Sequence, residues 1–259
     1  MLRRWYRDWR RKKWLKQPFP ADWEQILQTH FRHFCRLTAE EQDRLRRHVQ
    51  ILVAEKYWEG CHGVQVTDEM RVTIAAHAGY LNLARPLPGF ERVLSILIYP
   101  QAFLSIRPQQ IRGQWPDAPQ AALGEAVYRG PVILSWEDCL KDCIGPATGH
   151  NVMLHEFAHQ LDMEDGAVDG FPLLNDRAFA ASWKLQLDQE FDRLERHLRT
   201  GRGSVFDAYG SKNRVEFFAV ATEAFFENPQ RFEAEHGAFY ALMARFFGQD
   251  PAARFRATS

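Results

Sequence analysis

The sequence predicts an α+β protein, mostly helical, with a small mixed sheet and an edge strand beside a central helix. Three observations lead there. Apolar residues recur at helical spacing through most of the chain, and two short β-rich runs interrupt them after Pro86. Residues 149–162, Gly-His-Asn-Val-Met-Leu-His-Glu-Phe-Ala-His-Gln-Leu-Asp, then place an H-E-x-x-H motif (His155, Glu156, His159) among apolar neighbours.

The elements follow in chain order. Residues 1–17 interleave Trp5, Tyr6, Trp9 and Trp14 with eight Lys/Arg and one acid, Asp8. A solvated, partly disordered tail is the expected state of residues 1–20; a basic amphipathic helix on an anionic surface is the alternative. Pro18 and Pro20 open the folded body. Trp23, Ile26, Leu27, Phe31 and Phe34 predict a helix over 22–36. Thr38 and Glu41 form a capping box ahead of a second helix, with Leu45, Val49, Leu52 and Val53 buried and Gly60 at its end. A third helix runs from near Thr67 to Pro86. His30, His33, His48, His62 and His77 lie singly in or beside these helices and read as structural or surface residues.

Val93–Tyr99 is short and β-rich, as a buried strand would be. Val127–Trp136 reads as a strand kinked at Gly130-Pro131; because proline cannot donate to a ladder, it belongs at the sheet edge. An open edge there could pair with an extended peptide. After the motif come an acidic, Gly-containing turn (162–175), a helix from Asp176 to about Arg199, and a Gly-flanked loop around Tyr209. A helix over about Arg214–Glu227 and a last one over about Gly237–Phe247 complete the chain. The expected division is a tail (1–20), a helical layer (21–86) and the part carrying the chemistry (87–259), with 21–259 forming one compact unit.

Composition narrows the function. Hydrophobic residues make up 46% and charged residues 25% of 259, which fits an ordinary soluble globular protein. Net charge is zero, but beyond the basic tail 25 basic residues face 32 acidic ones, so direct nucleic-acid binding by the body is not expected. No run is long enough to span a membrane, and no apolar stretch marks a signal peptide. Cys35, Cys61, Cys139 and Cys143 show no disulfide framework. The expected setting is therefore the cytoplasm, with free thiols.

On a helix, His155 and His159 stand one turn apart on one face and can hold a metal from one side. Glu156 is then beside a water at the open position, where a carboxylate can take its proton. Two hydrogen-bonded structural histidines are the alternative, but the apolar filler and the carboxylates downstream favour a metal. Three residues could complete the set. Asp165 lies six residues past His159, where extended metalloprotease motifs return a ligand, though they carry Gly where this chain has Asp162. Glu216 sits among Val215, Phe217, Phe218, Ala219 and Val220, where a carboxylate needs a partner, and it is favoured. Glu223, two turns on, suits orientation of a histidine. Tyr209 could donate to an oxyanion, although a plain loop aromatic is the commoner case.

The segment His155–Asp162, Tyr209 and the run Glu216–Phe226 resemble the Mlc titration factor A (MtfA) family of bacterial zinc peptidases. These are gluzincins with a zincin-like core similar to that of anthrax lethal factor. The resemblance covers most of the chain from about residue 20. It implies one Zn2+ per chain held by His155, His159 and Glu216, with Glu156 as general base and Tyr209 as oxyanion donor. It also implies aminopeptidase-like cleavage of peptide substrates and binding of the glucose-responsive repressor Mlc. A non-catalytic anti-repressor that sequesters a transcriptional repressor is the alternative. A purely structural zinc site fits less well, because such sites favour cysteine and none lies in the motif.

Overall fold

In the computed structural model, which describes residues 2–85, 89–101, 130–145, 148–174 and 176–257 with side chains from Trp5 onward, helix predominates and one small sheet stands among the helices. The amino-terminal segment is a helix, α1 (Leu2–Trp14), and not a disordered tail. Its inner arc explains why. Arg11 is buried and its guanidinium forks onto Glu55, with Nη2 2.7 Å from Oε2, while Arg7 reaches Glu91 at 2.8 Å. Such forked pairs hold geometry better than single contacts.

Helix α2 (Ala21–His30) ends earlier than its apolar spacing suggests. Phe31 leaves helical geometry, and a short 3-10 turn (Phe34–Arg36) then brings Phe34 back into the core. The capping box forms as expected before α3 (Ala39–Glu55): the Glu41 amide donates to Thr38 Oγ1 at 3.2 Å, and the Thr38 amide donates to Glu41 Oε2 at 2.9 Å. This helix stops at Glu55 instead of Gly60. Tyr57–Gly60 is a strand, β1, opened by two aromatic residues of the kind that favour extended backbone. A Cβ on Gly60 would meet the Val64 carbonyl oxygen at 1.9 Å, so only glycine fits that close return. Thr67 caps α4 (Asp68–Leu81), which is buried along most of its length.

The described strands β1, β2 (Ser95–Tyr99) and β3 (Val132–Ser135) lie in that order and are all parallel. Ile96 pairs with Trp58 on one side and Val132 on the other. A mixed sheet was the expectation. The β1–α4–β2 crossover makes that pair parallel, and β2 and β3 follow suit. Of the kinked strand, residues 127–129 lie outside the described residues; β3 begins just after Pro131 and is an edge strand among the described strands. Trp136 starts a helix, α5 (Trp136–Ile144), and does not continue the strand, because Ser135 caps the Asp138 amide.

The motif helix α6 (Val152–Asp162) packs against α4, α5 and β3. Then come a 3-10 turn (Met163–Asp165), α7 (Arg177–Thr200), a 3-10 turn (Ala208–Lys212) and α8 (Arg214–Glu227). Three helices end the chain: α9 (Pro229–Glu235), α10 (Gly237–Phe247) and α11 (Pro251–Ala257), of which α9 and α11 escaped the sequence reading. Every residue of α8 from Phe217 to Glu227 is buried, so the helix is enclosed all round. Trp183 of α7 anchors the surrounding rings, 6.0 Å from Phe218 and 5.9 Å from Phe239.

Candidate metal centre

Helix α6 gets its aim from its first residue. Asn151 caps it, accepting from the Leu154 amide at 3.1 Å, and its own amide donates to Glu223 Oε2 at 2.5 Å. Asp142 of α5 takes the Val152 amide at 2.7 Å. Three orphan donors of the helix start are thus satisfied by side chains. Met153, Leu154, Phe157, Ala158 and Leu161 pack inward and leave the histidine face turned to α8.

On that face the rings of His155 and His159 stand 4.8 Å apart and nearly perpendicular. Glu216 meets both: its Oε2 lies 3.1 Å from His155 Nε2 and 3.3 Å from His159 Nε2. One ligand atom from each of the three residues falls within 4.8 Å of the others. Asn213 caps α8 by accepting from the Glu216 amide, which sets this carboxylate in the first turn. Asp165 does not join the group; it is exposed and caps the Ala167 amide of its own turn. Asp162 is buried and accepts from the Gly170 amide at 3.1 Å, and burial raises its pKa to about 6. Gly170 in turn presses against the Arg214 carbonyl, where a Cβ would come to 2.4 Å, so this loop abuts the start of α8.

The remaining carboxylate of the site fixes a proton. Glu223 Oε1 lies 2.7 Å from His155 Nδ1 and is buried, so Nδ1 donates and the Nε2 lone pair faces Glu216. An imidazole lone pair facing a carboxylate oxygen is two acceptors without a donor, and a cation belongs between them. The donor set of two imidazoles and one carboxylate fits a divalent metal ion with a further position left open. When the proton is the cation, burial pulls the His155 pKa down but Glu216 and Glu223 outweigh it, to about 10. Glu216 is held well below the usual carboxylate range: burial opposes this, and the bonds to His155 and His159 prevail.

Glu156 contributes no atom to that convergence of ligand atoms. Burial pushes its carboxyl up, against the pull of His159 and His155. Tyr209, on the 3-10 turn before α8, puts its ring edge-to-face with His155 at 5.8 Å, and Lys212 Nζ sits over the Tyr209 ring, 3.5 Å from its centroid. The structure therefore brings His155, His159, Glu216, Glu223 and Tyr209 together.

Sequence reasoning missed the support behind them. Glu227 accepts from Asn151 Nδ2 at 2.8 Å and sits 3.2 Å from His33 Nε2, so a buried polar chain runs from α2's end through α8 to the cap of α6. The spacing of Glu216, Glu223 and Glu227, seven and then four residues apart, puts all three on one face of α8 and was the available signal.

A chain with this site on helices around a small sheet matches, over residues 6–248, the family described as glucose-regulated metallo-peptidase M90, and it belongs to that family. Among its relatives are an uncharacterized protein of Synechocystis, slr2042, 36% identical over 94% of this chain and 90% of its own length, and proteins named Mlc titration factor A. Those from Yersinia pestis and Yersinia pseudotuberculosis are 30% identical, covering 91% of this chain and 87% of their own. The family implies a metal ion. Replacing Glu223 by Gln should weaken metal binding 10- to 100-fold by freeing the His155 ring, as competition with a chromogenic chelator would measure.

Proposed function

We propose that the protein is a zinc-dependent, aminopeptidase-like peptidase, with His155, His159 and Glu216 as ligands. The observation that carries this is the meeting of two imidazole Nε2 atoms and one carboxylate oxygen on a buried face. Zinc bound there would supply Lewis acidity, lowering the pKa of water and polarising the scissile carbonyl. Glu156 takes the proton of the attacking water and passes it to the leaving amine. Tyr209 donates to the oxygen on which negative charge develops. Glu223 keeps His155 in one tautomer throughout. The side of β3 away from β2 meets no other described strand and, beside α6, offers backbone groups to an extended peptide. The cytoplasm is the setting we assign, with Cys35, Cys61, Cys139 and Cys143 unpaired; no described helix is long and apolar enough to cross a membrane.

Glu216→Ala tests the ligand set. It should purify with less than a tenth of the zinc of the wild type and lose hydrolysis of chromogenic aminoacyl substrates in parallel. Full zinc content would remove Glu216 from the site.

The relatives' name favours a second reading, sequestration of an Mlc-type repressor, which can coexist with the first. It makes no use of Glu156, so Glu156→Gln should capture the repressor in a pull-down as well as wild type does.

A further inference from the structure

Helix α1 wears its side chains inside out. An ordinary surface helix turns apolar residues inward and cations to water. Here the inner arc is held by Arg7 and Arg11, ion-paired to Glu91 and Glu55, with Arg11 only 6% exposed. The outer arc carries three aromatic rings: Trp5 is 68% exposed, Tyr6 55% and Trp9 50%. Those rings contribute little to the fold, because the helix is already fastened by its arginines. Tyr6 and Trp9 stack at 6.1 Å and present a joint surface.

Cations are interleaved with the rings. Arg10, Lys12 and Lys13 are all exposed on the same side, and Arg10 lies 4.8 Å from the Trp14 ring. The one acid of the segment, Asp8, stands 3.7 Å from Arg11. Beside α1 runs a groove of about 310 Å3 lined by Tyr6, Arg10, Lys56 and Leu94, with Glu55 and Glu91 there taken up by their pairs with Arg11 and Arg7. Leu94 is 66% exposed, and next to it Tyr57, whose amide donates to the Leu94 carbonyl, is exposed as well. The apolar surface thus continues from the helix onto the start of β1 and β2.

The charge says what covers this surface. The first seventeen residues carry eight basic groups against one acid, while the remaining chain has an excess of acids. The complement is therefore anionic. It must also accept indole rings and a leucine side chain, which a phosphodiester strand does not use beyond stacking. Anionic bilayers present both: phosphates for Lys and Arg, and an interfacial zone where Trp and Tyr settle.

We propose that α1 is a membrane-docking helix that lays Trp5, Tyr6 and Trp9 into the interface of an anionic lipid bilayer, with Arg10, Lys12 and Lys13 against the lipid phosphates. Binding is peripheral and reversible, and salt weakens it.

The test is co-sedimentation of the full chain with large vesicles, either phosphatidylcholine alone or an equal mixture with phosphatidylglycerol. Wild type should partition at least 10-fold more strongly onto the mixed vesicles, and 0.5 M salt should remove most of that. Arg10→Glu/Lys12→Glu/Lys13→Glu should lose at least 10-fold, and Trp5→Ser/Trp9→Ser several-fold. Both should melt as wild type does, since the changed side chains are exposed. Equal partition onto the two vesicle types, or unchanged binding by both variants, overturns the proposal. So does absence of vesicle binding where the same variants lose an oligothymidine or an acidic protein partner. Glu156→Gln should sediment as wild type, which separates this result from the fate of the peptidase reading.

Discussion

Glu156→Gln is expected to lower turnover of aminoacyl substrates by about 10^3-fold, within the span of general-base removals, while metal content stays at the wild-type level. The two halves of that outcome have separate structural causes. With the proposed ligands, metal content depends on atoms that converge: the Nε2 atoms of His155 and His159 and a carboxylate oxygen of Glu216. Glu156 is not among them, so a neutral amide of the same size leaves the cluster intact. Turnover depends on a group able to hold a proton briefly beside the attacking water, and an amide cannot. Glu156→Ala should lose the same factor, because removing the base is what matters and not the shape of its substitute. The measurement is steady-state hydrolysis with metal quantified by emission spectroscopy on the same samples. A tenth or more of wild-type turnover in the metal-loaded Gln variant would remove Glu156 as the base.

Much of this site was legible because its chemistry is local. H-E-x-x-H fixes two histidines on one helix face by spacing alone, and Glu216 stands out because an ionised side chain inside a Phe/Ala/Val run needs a partner. The helix limits that follow from caps were legible as well: Thr38 with Glu41, Thr67, Asp176 and Asn213 each start a helix where the sequence places one. What stayed hidden depends on residues far apart in the chain. His33 read as an unremarkable lone histidine, and only the fold brings it to Glu227, 194 positions away. Strand β1 was hidden because Tyr57–Gly60 continues a helical pattern until β2 offers it a partner. The helix at the amino terminus stood only as the alternative to a disordered tail, for a related reason. Its inner face is polar, so apolar periodicity does not favour it, and its ion pairs are with the distant Glu55 and Glu91.

Buried ionisable groups should make the fold lose stability in acid through two separable windows. His48 has no hydrogen-bond partner for Nε2, and His77 donates Nδ1 to the Thr73 carbonyl at 2.9 Å; burial lowers the pKa of each to about 4. Unfolded, each would titrate at the ordinary histidine value near 6.5. The unfolded chain therefore binds more protons as pH falls. Their contribution is complete above pH 6.5 and is lost towards pH 4, by roughly 3 kcal/mol each at most. Glu227 acts lower. Burial pushes it up, but His33, Asn151 and Arg32 hold it at about 2, so its contribution is present above the unfolded carboxylate range and is lost as pH falls towards 2. Asp162, raised to about 6, works against the histidines, since its folded form takes a proton first. The comparison that isolates each group is therefore between variants. Urea unfolding of chelator-treated protein, followed from pH 7.5 to 3, should show His48→Gln/His77→Gln flatter than wild type between pH 6.5 and 4, by close to two protons. Glu227→Gln should keep that upper slope. It should be less stable at pH 7, because it weakens the tie between His33 and the cap of α6, and should lose less than wild type below pH 4.5. A double histidine variant with the wild-type slope would mean that His48 and His77 reach solvent before the fold opens.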